Sequence, residues 1–266
     1  MGGIAVDGAH VLVTGAGNGI GRATALALAE RRALVHCADL DLAAAQKTAA
    51  AVEEAGGSAL ALELDVADRD AVFAAAAGLE RPLDLLVNNA GVGMSGPFAD
   101  TDLADWDWIL SINLGGVLNC CHAFGRPMAA AGRGQIVNVS SGLGYTPRGT
   151  ESAYVTTKAA VLALSRSLRA DWAPLGVGVT AICPGVIDTG IIGRTRFTAS
   201  DGEDDRRRAQ QVFRRGHRPE AVAAAIVRAA ERDRAVVPVG WESHLAWWFS
   251  RLGPVALQQR VARRRL

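Results

Sequence analysis

No run of eighteen uncharged apolar residues occurs in this 266-residue chain, so no segment reads as a membrane-spanning helix. A basic stretch followed by a long apolar run is missing near the N-terminus, which predicts no secretion by that route, and Val6 stands where a myristoylation signal needs Ser or Thr. Net charge is almost absent: 28 Lys and Arg against 27 Asp and Glu leave +1 at pH 7, with no global attraction for nucleic acid. Cysteine is scarce. Cys37, Cys120, Cys121 and Cys183 form no CxxC, which suggests neither a disulfide framework nor a zinc site and fits a reducing, cytoplasmic setting. The five histidines, His10, His36, His122, His217 and His244, contain no i, i+4 pair, so no metal and no histidine-based catalysis is expected. Repeats and low-complexity linkers are lacking too, and the even spread of apolar residues predicts one large domain over about 1–240, followed by a tail at 241–266.

What the chain does contain is a regular alternation. Short Val-, Leu- and Ile-rich runs recur at His10 to Val13, Leu34 to Ala38, Ala59 to Leu64, Leu83 to Val87, Gln135 to Val139, Val177 to Cys183 and Ala235 to Val239, and read as strands buried on both faces. Ala-rich segments of helical length separate them: Ile20 to Arg31, Leu42 to Ala55, Asp68 to Ala77, Asp102 to Ala131, Ser152 to Ala173 and Pro219 to Asp233. Parallel neighbours need long crossovers, so this order predicts an α/β fold, a doubly wound, Rossmann-like parallel sheet of about seven strands with helices on both faces. Ligands of such sheets sit beyond the carboxyl ends of the strands. Two stretches break the rhythm. The polar insertion from Gly190 to Gly216 has glycines at both ends and reads as a substrate lid, against the alternative of a solvated excursion. The tail is aromatic at first, broken at Gly253-Pro254, and ends in Arg263, Arg264 and Arg265.

The first strand runs into TGAGNGIG, where Gly15, Gly19 and Gly21 follow the spacing GxxxGxG and Ile20 takes the place of one glycine of GxGxxG. Glycines there allow a tight turn, close approach of backbone to a pyrophosphate, and tight packing of helix on strand. The helix N-terminus then offers unpaired amides and partial positive charge to phosphates. Asp39, at the end of the second strand and eighteen residues after Gly21, is placed to take the adenosine ribose hydroxyls; the alternative is that it caps the next helix. A carboxylate repels a 2′-phosphate, and neither Leu40 nor Asn18 supplies a compensating cation. NAD is therefore expected rather than NADP.

Tyr154 and Lys158 in SAYVTTKAAV share a helix face, because residues at i and i+4 are neighbours. A free phenol titrates near ~10, too high for a base at neutral pH. An ammonium at about 4 Å and an effective dielectric near 20 contributes on the order of 4 kcal/mol, or roughly three pKa units before desolvation. The expectation is a tyrosine brought near the working pH as a general acid/base for hydride transfer.

TGAGNGIG, Asp65 in LDV, NNAG at Asn88 to Gly91, Asn113 in SINLGG, Ser141 in IVNVSS, Tyr154 with Lys158, and PGVIDTG at Pro184 to Gly190 together resemble the short-chain dehydrogenase/reductase family over about the first 240 residues. The resemblance implies Tyr154 as acid/base, Lys158 as its activator, Ser141 as the hydroxyl that orients substrate, and Asn113 as anchor of a proton-relay water. It also implies a cofactor cleft formed by Gly15, Asn18, Gly19, Ile20, Gly21, Asp39, Leu40, Asp65, Val66, Asn88, Asn89, Ala90 and Gly91. Pro184, Gly185, Ile187 and Thr189 would surround the nicotinamide, with Tyr154 and Lys158 opposite. The substrate pocket would be lined by Ser141, Tyr154, Met94, Leu143 and Ile191, with Val92, Gly93, Gly142, Tyr145, Pro147, Ile192 and Phe197 around them. That lining is small and apolar, so the expected substrate is a secondary alcohol or ketone on a hydrophobic skeleton. Alternatives are an NADPH-dependent ketoreductase of acyl or polyketide intermediates and a non-catalytic nucleotide-sensing module. A homodimer or homotetramer is implied by the resemblance. For the tail, packing against the body or a second subunit is favoured over contact with a membrane.

Overall fold

The computed structural model describes residues 2–198 and 202–263. Ala199, Ser200 and Asp201 of the insertion, and Arg264 and Arg265 of the basic end, lie outside the described residues. Strands β1 (His10–Thr14), β2 (Leu34–Asp39), β3 (Ser58–Glu63), β4 (Leu85–Asn88), β6 (Gly134–Val139), β7 (Val177–Pro184) and β9 (Val236–Val239) form one seven-stranded sheet. Its order is β3-β2-β1-β4-β6-β7-β9, every pairing is parallel, and the order reverses between β1 and β4. A crevice therefore opens beyond Thr14 and Asn88.

Side-chain alternation along the central strands sorts residues into two cores. Val11, Val13, Leu85 and Val87 meet Leu28, Val52 and Ile226, from helices α1 (Gly19–Ala29), α2 (Leu42–Glu54) and α9 (Pro219–Arg232). Leu12, Leu86 and Ile136 point the other way, to Val72 of α3 (Arg69–Ala77) and Val161 of α7 (Ser152–Trp172). The helix expected over 102–131 is continuous but not uniform. It runs as α4 (Leu103–Leu110), α5 (Gly116–Cys120) and α6 (Arg126–Ala130), joined by π-helical turns at Ser111–Gly115 and Cys121–Gly125. Such widened turns often mark functional sites, and Asn113 sits in the first.

The insertion folds as a 3₁₀ turn at Gly190–Arg194, a strand β8 (Thr195–Phe197) and helix α8 (Gly202–Phe213). Strand β8 pairs in parallel with a short β5 (Gly93–Ser95), so the segment is fastened to the loop that follows β4. The tail forms α10 (Trp241–Leu252) and α11 (Val255–Ala262), separated at Gly253-Pro254. Gln258 Nε2 donates to the carbonyls of Phe249, Ser250 and Gly253, which ties α11 to the end of α10.

Candidate active site

Aspartates cap three helices of the sheet's crossovers: Asp41, Asp68 and Asp102 accept from Ala44, Ala71 and Asp105 amides at 2.8 to 3.1 Å. At α1 the N-cap is Asn18, whose side chain makes no capping bond. The first-turn amides of α1 are thus left for a ligand, with the helix dipole favouring an anion. Two glycines at the turn and the start of α1 leave no room for a side chain. Gly15 has φ +64°, and a Cβ there would lie 2.9 Å from the Ala90 Cα; a Cβ on Gly21 would lie 2.1 Å from the Gly15 carbonyl oxygen. These features fit the diphosphate of a dinucleotide. Thr14 and Asn89 hold the two lips of the crevice together: Thr14 Oγ1 accepts from the Asn89 and Ala90 amides at 3.0 and 3.1 Å, and Asn89 Nδ2 donates to Thr14 O at 2.9 Å.

Asp39 is buried, with its Oδ2 accepting from the Gly17 amide at 2.8 Å and its Oδ1 from the Asp41 amide at 3.1 Å. Asp41, not Asp39, caps α2. The charge of Asp39 is therefore anchored beside the glycine turn, and the neighbouring Leu40 is exposed. Asp65 is also exposed and accepts from Ala67, whereas Val66 is buried against Gly116.

A cavity of about 340 Å³ continues from the turn into the space over β6 and β7. Gly15, Asn18, Gly19, Ile20, Asn89, Ala90, Gly91, Pro184, Gly185, Ile187 and Thr189 line one part of it, and Ser141, Tyr154 and Lys158 the junction. Met94, Leu143, Ile191, Ile192 and Phe197 line the apolar part, whereas Val92, Tyr145 and Pro147 stand outside the lining. Asn88 does not face the cleft: its Nδ2 donates to Asn138 Oδ1 at 2.8 Å, and Asn138 donates in turn to Ser165. As the last residue of β4 it points to the opposite face from Val87, into a buried polar network. Asp39, Leu40, Asp65, Val66, Gly21 and Asn113 also lie outside the lining.

Lys158 is buried and donates from Nζ to the Val139 carbonyl at 3.0 Å, with the ammonium 5.8 Å from the centre of the Tyr154 ring. Burial pushes the Tyr154 phenol up to about 12; the Ser141 hydroxyl pulls it down and the Glu151 carboxylate raises it further. Burial also pulls Lys158 down to about 8. The expected approach of the phenol to the working pH rests on Lys158 together with the positive charge of an oxidised nicotinamide, and without that second charge burial keeps the phenol high. The Lys158 ammonium donates to a backbone carbonyl, and burial is the largest influence on the phenol. The side chain of Asn113 is likewise occupied. Its Oδ1 accepts from Val92 N at 2.9 Å while Nδ2 donates to Val92 O and Thr157 Oγ1 at 3.0 and 3.1 Å. It fixes the loop after β4, and Gly91 separates it from Lys158: a Cβ on Gly91 would lie 3.1 Å from Asn113 Oδ1 and 3.4 Å from Lys158 Nζ.

Several lining residues had no signal in the sequence. Arg148 and Glu151 reach the cavity as a loose ion pair at 3.4 Å, and burial raises the pKa of Glu151. Ala209, Val212 and Phe213 arrive on α8, and Glu242, Ser243 and Ala246 on α10. Ser243 Oγ donates to Cys183 O at 2.6 Å, which fixes α10 over the carboxyl end of β7.

The sequence profile of the family described as short chain dehydrogenase matches residues 9–199. The chain is 44% identical over 258 residues to the "Probable oxidoreductase EphD" of Mycobacterium tuberculosis, covering 93% of this chain but only 44% of that protein. It is 40% identical over 237 residues to the "Cis-4-hydroxycyclohexanecarboxylate dehydrogenase" of Sinomonas cyclohexanicum, covering 86% of this chain and 91% of that protein. A short chain dehydrogenase/reductase of Burkholderia phymatum, solved in complex with NAD, superposes with a TM-score of 0.86 at 30% identity, covering 98% of this chain and 97% of that one.

Proposed function

The chain belongs to the short-chain dehydrogenase/reductase family, and from that premise we propose that it is an NAD-dependent oxidoreductase interconverting a secondary alcohol and a ketone on a hydrophobic small molecule. The observation that carries this reading is the convergence of Ser141, Tyr154 and Lys158 on one cavity with the uncapped, glycine-lined start of α1. When bound, a nicotinamide dinucleotide supplies the hydride acceptor or donor and, in its oxidised form, a positive charge. The roles of the chain's own groups follow. Ser141 Oγ donates a hydrogen bond to the substrate oxygen, and Tyr154 Oη receives the alcohol proton in oxidation or returns it in reduction. Lys158 holds a positive charge under the cleft, tied to Val139 O, and together with the charge of an oxidised nicotinamide it would favour the phenolate against the cost of burial. Asn113 sets the Val92 backbone and with it the wall on which Met94 faces the substrate.

Asp39 supports NAD over NADP, since its carboxylate stands beside the turn with Leu40 and no cation next to it. The apolar wall of Met94, Leu143, Ile191, Ile192 and Phe197 supports a ring or hydrocarbon skeleton. A relative named for a hydroxycyclohexane carboxylate agrees with an alicyclic substrate. A homo-oligomer and a cytoplasmic setting belong to the same reading. A panel of alicyclic secondary alcohols and ketones, followed by nicotinamide absorbance with each dinucleotide, tests it. Turnover of at least one pair with NAD(H) supports the reading, and nucleotide binding with no turnover across the panel favours a sensing module instead.

A further inference from the structure

Helix α10 has two unlike faces. Inward, Ser243 is bound to Cys183 O and Trp247 meets Tyr145 edge to face at 4.9 Å between ring centres. Outward, Trp241, Leu245, Trp248 and Leu252 follow at i, i+4, i+7 and i+11, which puts them in one narrow stripe. They are 65, 60, 57 and 77% exposed, and Val255, Leu257 and Val261 of α11 are exposed beyond them. Four large apolar residues in register on a solvent face, two of them tryptophans, are more than scattered surface hydrophobes.

The charge of the segment that carries the stripe is of one sign after Glu242. From Ser243 to the last residue the sequence has no acidic residue, whereas it has Arg251, Arg260, Arg263, Arg264 and Arg265. Burial lowers the pKa of Arg251, and the charge of Arg166 of α7 lowers it further. The acid of α10, Glu242, belongs to the other side, where it pairs with His217 at 2.9 Å. None of the described helices is long and apolar enough to cross a membrane.

We propose that this face of α10 and α11 docks on the surface of an anionic lipid bilayer, the stripe lying among the upper acyl chains and the arginines among the headgroups. Charge decides between this occupant and a second copy of the chain. A two-fold pairing of the face with itself would set arginines against arginines with no acidic side chain from its own segment to offset them, whereas anionic lipid neutralises them. Tryptophan suits the interface because its ring is apolar and its N–H polar. The tail was expected to pack on the body or a subunit; its inner face does pack on the body, and its outer face is left for the bilayer. Since Glu242, Ser243 and Ala246 line the catalytic cavity from the inner side of α10, docking also sets that cavity beside a reservoir of hydrophobic molecules. This last consequence rests on the proposed function; the docking does not.

The test is sedimentation of the full chain with sucrose-loaded vesicles of phosphatidylcholine alone or mixed with phosphatidylglycerol. Two variants accompany it: Trp241→Ser/Leu245→Ser/Trp248→Ser, and Arg260→Gln/Arg263→Gln, since the Arg251 guanidinium is stacked on the inward Trp247. All five positions are solvent-facing, and circular dichroism with nucleotide binding checks that both variants fold. The expected result is at least tenfold stronger partitioning onto the anionic vesicles. The triple variant should lose most of it, and the arginine variant roughly fivefold for each cation. Equal sedimentation of wild type and triple variant, or indifference to the anionic lipid, overturns the proposal. So does a fall in oligomeric mass of the triple variant without lipid, in sedimentation velocity, because the face would then belong to a subunit contact.

Discussion

Replacing Asp39 by Asn and Leu40 by Arg should move the dinucleotide preference of this protein by about two orders of magnitude. Asp39 presents a full negative charge fixed by the Gly17 and Asp41 amides at 2.8 and 3.1 Å, so it cannot swing away from a 2′-phosphate without breaking both bonds. One unit charge at about 4 Å and an effective dielectric near 20 costs on the order of 4 kcal/mol. Screening at the open rim cuts this to about 2 kcal/mol, so the carboxylate discriminates against NADP by roughly 30-fold to 1000-fold. Asparagine keeps an oxygen for the Gly17 amide and leaves the turn in place while removing the repulsion. Arginine at the exposed position 40 adds a cation for the phosphate. The assay is kcat/KM for both dinucleotides with one substrate pair. Wild type should favour NAD by at least 30-fold, and the double variant should shrink that ratio about 100-fold. A wild type that prefers NADP, or a ratio unmoved by the double variant, refutes the reading of Asp39.

Two further outcomes follow from the buried charges near the cavity. Lys158 is held at about 8 against an ordinary 10.5, so the unfolded chain binds more protons between those values and wild-type stability rises with pH across that window. Below about pH 8 the buried ammonium costs about 3 kcal/mol, so Lys158→Met should raise Tm at pH 7 by several degrees in a thermal melt while abolishing turnover, and this gain should shrink towards pH 10; a lower Tm at pH 7 contradicts the assignment. Glu151 raises the Tyr154 pKa, so Glu151→Gln should shift the acidic limb of the kcat/KM profile for alcohol oxidation to lower pH, and an unmoved limb removes Glu151 from the electrostatics of the site.

Strand positions were legible because each central strand is buried on both faces and so reads as an unbroken apolar run, as in β7, where all eight residues are buried. The tight start of α1 was legible too, since Gly15 takes a left-handed φ of +64° and a Cβ on Gly21 would meet the Gly15 carbonyl. Other features were hidden because they depend on contacts between distant segments. Strands β5 and β8 are three residues each and pair across about a hundred positions, too short for any period to show. The π turns add a residue to a helix without disturbing its composition. Asn88 and Asn89 are adjacent in sequence, yet one enters a buried network and the other the crevice, because neighbouring residues at a strand end point to opposite sides. His10 and His36 show no helical spacing but meet across β1 and β2, with Nε2 atoms 2.7 Å apart. The surroundings of Tyr154 and Lys158 were hidden for the same reason. Spacing gives the pair, but burial and the Val139 carbonyl decide how strongly the ammonium acts on the phenol.

The most direct measurement is single-turnover hydride transfer by Tyr154→Phe alongside its nicotinamide affinity. If the phenol moves the proton, the variant binds the dinucleotide as wild type does and transfers hydride 10²- to 10⁴-fold more slowly, the range of a lost general acid/base. Undiminished transfer with intact binding would contradict the account.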